Sequence, residues 1–146
     1  MRVRDILEEK GSKVLTARVE DTLLQAARHL VDEGVGVLVV VDERGRPVGM
    51  LSERDIIRAF TLQPNEIVRI QVGEVMTREV VFTSPAEGLK AVQETMTERR
   101  VRHLPVAEDG RLLGLVSIGD VLRALHREGE IENHDLKNYI SGKYLE

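Results

Sequence analysis

The chain has 146 residues, a formal net charge of −4, an apolar share of 42% and a charged share of 32%, the proportions of a folded soluble protein and not of a disordered one. Aromatic residues make up 3%, and Trp and Cys are absent, which leaves a stacking platform for single-stranded nucleic acid poorly supplied and excludes a disulfide framework, zinc knuckle or thiol nucleophile. The net acidic balance argues against a general polyanion binder, so no nucleic-acid partner is expected.

The opening "MRVRDILEEKGSK" is charged throughout and has no apolar core segment, so no signal peptide is expected. The longest apolar run, "VGVLVVV" up to Val41, is too short for a bilayer. No membrane partner is expected, and the expected location is cytoplasmic. An extended piece from Val14 ("VLTA") leads to an amphipathic helix with Leu23, Ala27, Leu30 and Val31 on its apolar face. Two strands follow, joined by "DERGR", whose Gly45 suits a positive φ. A second helix begins after Ser52, with Ile56, Ile57 and Phe60 predicted to be buried. Residues 61–71 read as a linker that turns at Pro64-Asn65.

The order then recurs. Extended "VVFT" from Val80 is followed by a helix with Leu89, Val92 and Met96 inward, and Ser84-Pro85-Ala86-Glu87 reads as its capping box with Pro at the first helical position. Two strands are joined by "AEDGR", and a helix begins after Ser117. The tail after Leu125 matches neither half and reads as an added helix or arm, with Ile131, Leu136, Tyr139 and Ile140 as its apolar contacts.

This is an internal repeat. Gly45, Gly49, Ser52 and Asp55 recur as Gly110, Gly114, Ser117 and Asp120, each 65 residues on, and Arg58-Ala59 recurs as Arg123-Ala124. The predicted fold is α/β: two β-α-β-β-α repeats at 1–60 and 72–127, a linker at 61–71 and a tail at 128–146. A unit of about 60 residues buries too little surface to stand comfortably alone. The repeats are therefore expected to pack sheet to sheet about a pseudo-twofold axis.

The repeated word has two readings. A helix N-terminus offers unpaired N–H groups and a positive dipole end to a phosphate, to which Ser52 or Ser117 adds a hydroxyl. Asp55 or Asp120 is an acceptor suited to ribose hydroxyls, and Gly49 or Gly114 lets a ligand approach the backbone. Ser-x-x-Asp is equally a plain N-cap that needs no ligand. An ancestral duplication would copy either one.

Twin units ending in "G-h-h-S-x-x-D-h-h-R-A", over nearly all of Val3 to Leu125, resemble a CBS domain pair, or Bateman module. The resemblance implies an adenosine ligand (AMP, ADP or ATP, alternatively NAD(H) or S-adenosylmethionine) in a cleft between the repeats. It implies phosphate contacts from Ser52 and Ser117 and ribose contacts from Asp55 and Asp120. It further implies a homodimer in a four-repeat disc and a regulatory role toward a protein partner. Thr16 stands where such proteins often touch the ligand, its repeat-2 counterpart lying near Phe82 or Thr83, and Val37 and Leu38 are candidates for an apolar wall. Arg102 and His103 are candidate phosphate ligands for the Asp55 word, with Arg54 a third. The Asp55 word is therefore expected to take the more highly charged group. Arg99 and Arg100 read as solvated charges ending a helix.

No catalytic residue, catalytic cofactor or metal site is expected. His126 and His134 do not share a helical face by spacing, no base activates the serines, and no Walker-type loop is present. The competing function is a non-catalytic interaction or oligomerisation scaffold with no physiological nucleotide.

Overall fold

Each Ser-x-x-Asp word sits at the strand-to-helix junction that its spacing predicts. In the computed structural model, which describes residues 1–129, the elements run α1 (Val3–Lys10), β1 (Thr16–Arg18), α2 (Leu23–Glu33), β2 (Val37–Val41), β3 (Pro47–Ser52), α3 (Glu53–Leu62), α4 (Val72–Val75), α5 (Leu89–Arg99), β4 (His103–Glu108), β5 (Arg111–Ser117) and α6 (Ile118–Arg127). Ser52 Oγ accepts the Asp55 N–H at 3.2 Å while Asp55 Oδ2 accepts the Ser52 N–H at 2.9 Å. Ser117 and Asp120 make the same reciprocal pair at 3.1 and 2.9 Å. Such a box satisfies two donors that the helix itself leaves orphaned, and losing its cap residue costs about 1 kcal/mol. Gly45 and Gly110 take φ of 77° and 75° in the two hairpin turns, as predicted.

The described chain divides into two compact units: Val14–Val80, and Met1–Lys13 together with the residues from Val81 on. These units do not coincide with the sequence repeats, because each repeat's opening helix is buried in the other repeat's core. Val3 and Ile6 of α1 pack with Leu89, Leu104 and Leu122. Val72 and Met76, in and just after α4, pack with Leu23, Leu38 and Leu51.

In the unit carrying Ser52, β1 runs parallel to β2, and β2 antiparallel to β3. In the unit carrying Ser117, β4 and β5 form an antiparallel pair. There the predicted extended piece "VVFT" contributes one parallel bridge, Thr83 to Val106, and no strand.

The predicted capping box at Ser84 is also not observed. Ser84 to Glu87 form a turn, with the Ser84 carbonyl accepting the Glu87 N–H at 3.2 Å, and α5 starts five residues later at Leu89 behind Gly88. The start of α1 explains the difference. Its Arg4 and Val3 N–H groups donate to the Pro85 and Glu87 carbonyls, each at 3.0 Å, and so take acceptors that a helix beginning there would need for itself. Pro suits the second position of such a turn as well as it suits a helix start.

Helix faces follow prediction in α5, where Leu89, Val92 and Met96 are all buried. They depart from it in the Ser52 unit. Ala26 and not Ala27 is buried in α2, and Val31, Ile57 and Phe60 are 79%, 63% and 57% exposed. Leu122 and Leu125, the counterparts of Ile57 and Phe60 at the 65-residue offset, are 0% and 1% exposed. The contrast follows helix packing: α6 lies against α5 more extensively than α3 lies against α2. The tail reading, with Ile131, Leu136, Tyr139 and Ile140, lies outside the described residues.

Candidate ligand site at the start of helix α6

Hairpin register builds this site. Pairing of β4 with β5 sets His103 opposite Ser117, and the Arg102 carbonyl accepts the Ile118 N–H at 2.9 Å. Arg102, His103, Ser117, Ile118, Gly119, Leu122 and Arg123 line a cavity of about 300 Å³, at the lower end of the range of roughly 300–1,000 Å³ for small-molecule sites. Of the first N–H groups of α6, that of Ile118 is taken by Arg102 and that of Asp120 by Ser117. The Gly119 N–H has no partner among the described residues, and the Ser117 hydroxyl keeps its own hydrogen to donate. Two guanidiniums, a helix N-terminus and one hydroxyl are therefore available to an anion.

Asp120 is more engaged than its sequence suggests. Its Oδ2 accepts from the Ser117 N–H at 2.9 Å and from Lys10 Nζ at 2.7 Å, and its Oδ1 accepts from Arg123 Nη2 at 3.2 Å. Lys10 also donates to the Leu115 carbonyl at 3.0 Å. Burial pushes the Asp120 carboxyl upward, but the Lys10 and Ser117 hydrogen bonds outweigh it and hold the group below its usual range. Burial pulls the His103 imidazole below its ordinary value, with Arg102 and Lys10 adding to the effect and the Asp120 charge opposing it. The site thus favours the neutral form of His103, and an arriving phosphate would favour the charged one.

The Ser52 word carries different neighbours. Val37, half-buried, stands opposite Ser52 where His103 stands opposite Ser117. The Glu53 carboxylate lies over Gly36, with Oε1 2.5 Å from where a Cβ would stand, so the first turn of α3 already holds two acidic side chains. Asp55 pairs with Arg58 at 3.6 Å, and Arg54 is exposed with no ion pair among the described residues. Thr16 is half-buried in β1 beside Val39.

The structure places three groups of the predicted residues as follows. Leu38 is fully buried opposite Leu51 in the core. The space above the two glycines is filled by protein: a Cβ at Gly49 would stand 2.6 Å from Met76 Sδ and 3.0 Å from the Thr77 carbonyl, and one at Gly114 would stand 2.6 Å from Leu7 Cδ2. These glycines seat the exchanged opening segments. Arg102 and His103, assigned from the sequence to the Asp55 word, are grouped by hairpin register with Ser117.

The register also resolves the counterpart of Thr16. Thr83 bridges to Val106 as Arg18 pairs with Val41, which aligns Thr16 with the apolar Val81. Sequence reasoning missed Lys10, Arg123 and Glu53. Arg123 had a signal, since it recurs in the repeated word as Arg58, but Lys10 is 110 residues from its partner and had none.

Among the described residues no group of three His, Asp or Glu side chains is placed to hold a metal ion, and no helix is long and apolar enough to cross a membrane. The sequence model of the CBS domain matches residues 3–62 and 72–127. A mitochondrial CBS domain-containing protein of Arabidopsis thaliana, CBSX3, is 35% identical over 97% of this chain and 73% of its own length. The chain spans 34% to 73% of the first curated relatives it matches. Among solved structures, the CBS-domain protein ATU1752 of Agrobacterium tumefaciens superposes with a TM-score of 0.79 at 36% identity, over 85% of this chain and 98% of that one. The CBS domain pair of protein MJ0100, in complex with 5′-methylthioadenosine and S-adenosylmethionine, superposes with a TM-score of 0.76 at 28% identity, over 88% of this chain and 98% of that one.

Proposed function

The chain belongs to the CBS domain family, and from that premise we propose that it is a non-catalytic regulatory module that binds an adenosine-containing ligand at the start of α6. The cavity carries this reading: Arg102, His103, Arg123 and the Gly119 N–H face one space at a helix N-terminus, next to a carboxylate. The ribose hydroxyls go to Asp120, the anionic group to the two guanidiniums and Ser117, and the adenine against Ile118 and Leu122. Because the Ser52 word has Val37 in place of His103 and adds Glu53 at its helix start, the more negative ligand belongs to the Ser117 word. AMP, ADP and ATP are the favoured class, with 5′-methylthioadenosine and S-adenosylmethionine the neutral and cationic comparisons.

Isothermal calorimetry on ligand-free protein tests this directly. AMP is expected to bind more tightly than 5′-methylthioadenosine, and a ligand at 100 times its dissociation constant is expected to add roughly 2.7 kcal/mol of stability. No heat and no thermal shift with any of the five compounds would remove the nucleotide reading and leave the scaffold.

One observation favours a role in assembly beside ligand binding. Val31, Ile57, Phe60 and Leu62 are 79%, 63%, 57% and 72% exposed on α2 and α3 of one unit, and exposed apolar side chains that cluster mark interaction surfaces. A second copy covering this face gives the homodimer. Phe60→Glu is then expected to convert a sedimenting dimer to monomer without altering the AMP heat. An unchanged sedimentation coefficient would place the contact elsewhere.

A further inference from the structure

Resting on the nucleoside reading of the α6 site, we propose that Lys10 is the positioning residue of that site: it is the standing counter-ion of Asp120 and leaves Arg123 as the partner that a ligand exchanges. An ionised carboxylate offers about four acceptor positions. On Asp120 three are filled: Ser117 N–H and Lys10 on Oδ2, Arg123 on Oδ1. A vicinal diol needs two, so one resident donor must leave.

Geometry decides which one. Lys10 sits at 2.7 Å and is fixed a second time on the Leu115 carbonyl at 3.0 Å. Arg123 holds Oδ1 at 3.2 Å, lines the cavity and has a 58% exposed side chain. The ribose hydroxyls therefore displace Arg123 from Oδ1, and the released guanidinium turns to the ligand's anionic group within the same cavity. Gly119 lets the Arg123 guanidinium lie close over the helix start, since a Cβ there would stand 3.1 Å from Arg123 Nη1. Lys10 meanwhile keeps the carboxylate charged and its Oδ1 toward the ligand. Without Lys10, Arg123 would be the nearest remaining cation on Asp120, and its release would leave the carboxylate with no ionic partner. The Ser52 word has no counterpart among the described residues, because Asp55 faces Arg58 alone.

The charged and titratable groups around Asp120 are Lys10 from α1, Arg123 from its own helix, His103 from β4 and Arg102 just before it. Titration therefore separates a positioning role from a merely structural one. Lys10→Met is expected to weaken AMP and 5′-methylthioadenosine binding by the same factor, roughly tenfold, the worth of one charge-assisted hydrogen bond. It is expected to move the acid limb of both binding curves to higher pH, and Lys10→Arg is expected to restore both. A loss confined to AMP would mean that Lys10 only attracts the phosphate at a distance, and a gain in affinity would make it a competitor of the ribose; either result overturns the proposal. If the wild type binds neither compound the nucleoside reading fails by itself. The ¹³C titration of the Asp120 carboxyl in ligand-free protein then still decides whether Lys10 is its counter-ion: a midpoint raised in Lys10→Met and restored in Lys10→Arg upholds that half of the proposal, and an unmoved midpoint overturns it.

Discussion

Leu38→Ala is expected to lower the unfolding free energy by about 2–5 kcal/mol, the range for truncating a fully buried leucine, and to lower the melting temperature by on the order of 10 °C. Leu38 is 0% exposed, pairs with Leu51 across β2 and β3, and belongs to the cluster that contains Leu23, Leu30 and Met76. Two terms add: the transfer free energy of three carbons, and the cavity that rigid neighbours on sheet and helix cannot collapse to fill. Urea denaturation followed by circular dichroism measures the loss. AMP affinity of the folded fraction is expected to remain that of the wild type. A stable Leu38→Ala protein with weakened nucleotide binding would return Leu38 to the ligand wall that its position in the sequence had suggested.

That contrast shows where the sequence was legible and where it was not. The reciprocal caps at Ser52 and Ser117 are local: three residues and a helix start determine them, and the structure has both as written. The hairpin turns at Gly45 and Gly110 are local in the same way. Errors begin where a distant segment decides. Gly49 and Gly114 looked like openings for a ligand because nothing near them in the chain fills the space, yet Met76 and Leu7 arrive from other elements to fill it. Ser84 to Glu87 has the composition of a helix start, but α1 takes its carbonyls and turns it away. In Val37–Val41 an unbroken apolar run hides which residues face the core, because no alternation marks the faces. The basic pair at Arg102 and His103 was visible as chemistry, and its placement needed the β4–β5 register. Lys10 carries no sequence signal at all, since its partner is on a helix formed 110 residues later.

Asp120→Ala should show how much of the site is cap and how much is ligand. The substitution removes the acceptor of the Ser117 N–H, the Lys10 ammonium and the Arg123 guanidinium together. Both cations are more than a third exposed and can turn to water, so their share is small, and the stability lost at pH 7 is expected to be about 1–2 kcal/mol, mostly the cap. The deficit has a definite pH dependence. Asp120 is held below the ordinary carboxylate value of 3.8, so the stability it contributes is present above that pH and disappears as pH falls through its folded-state value. Wild type and variant are therefore expected to converge in strong acid.

A second, opposite trend arises near neutrality. His103 already lies below its ordinary value of 6.5, and the Asp120 charge is the one influence raising it. Without that charge the imidazole falls further. The unfolded chain then binds a proton that the folded chain does not over a wider interval below 6.5, so the variant loses more stability than the wild type as pH falls from neutral. The gap between the two proteins should thus widen first and close later. Binding separates the remaining role. If Asp120 takes the ribose, 5′-methylthioadenosine affinity in Asp120→Ala should drop at least tenfold, the loss of two hydroxyl hydrogen bonds to a charged acceptor, while Asp55→Ala leaves it within about twofold. Affinity retained in Asp120→Ala, together with the double-limbed pH curve, would show a carboxylate that caps α6 and tunes His103 without touching the ligand.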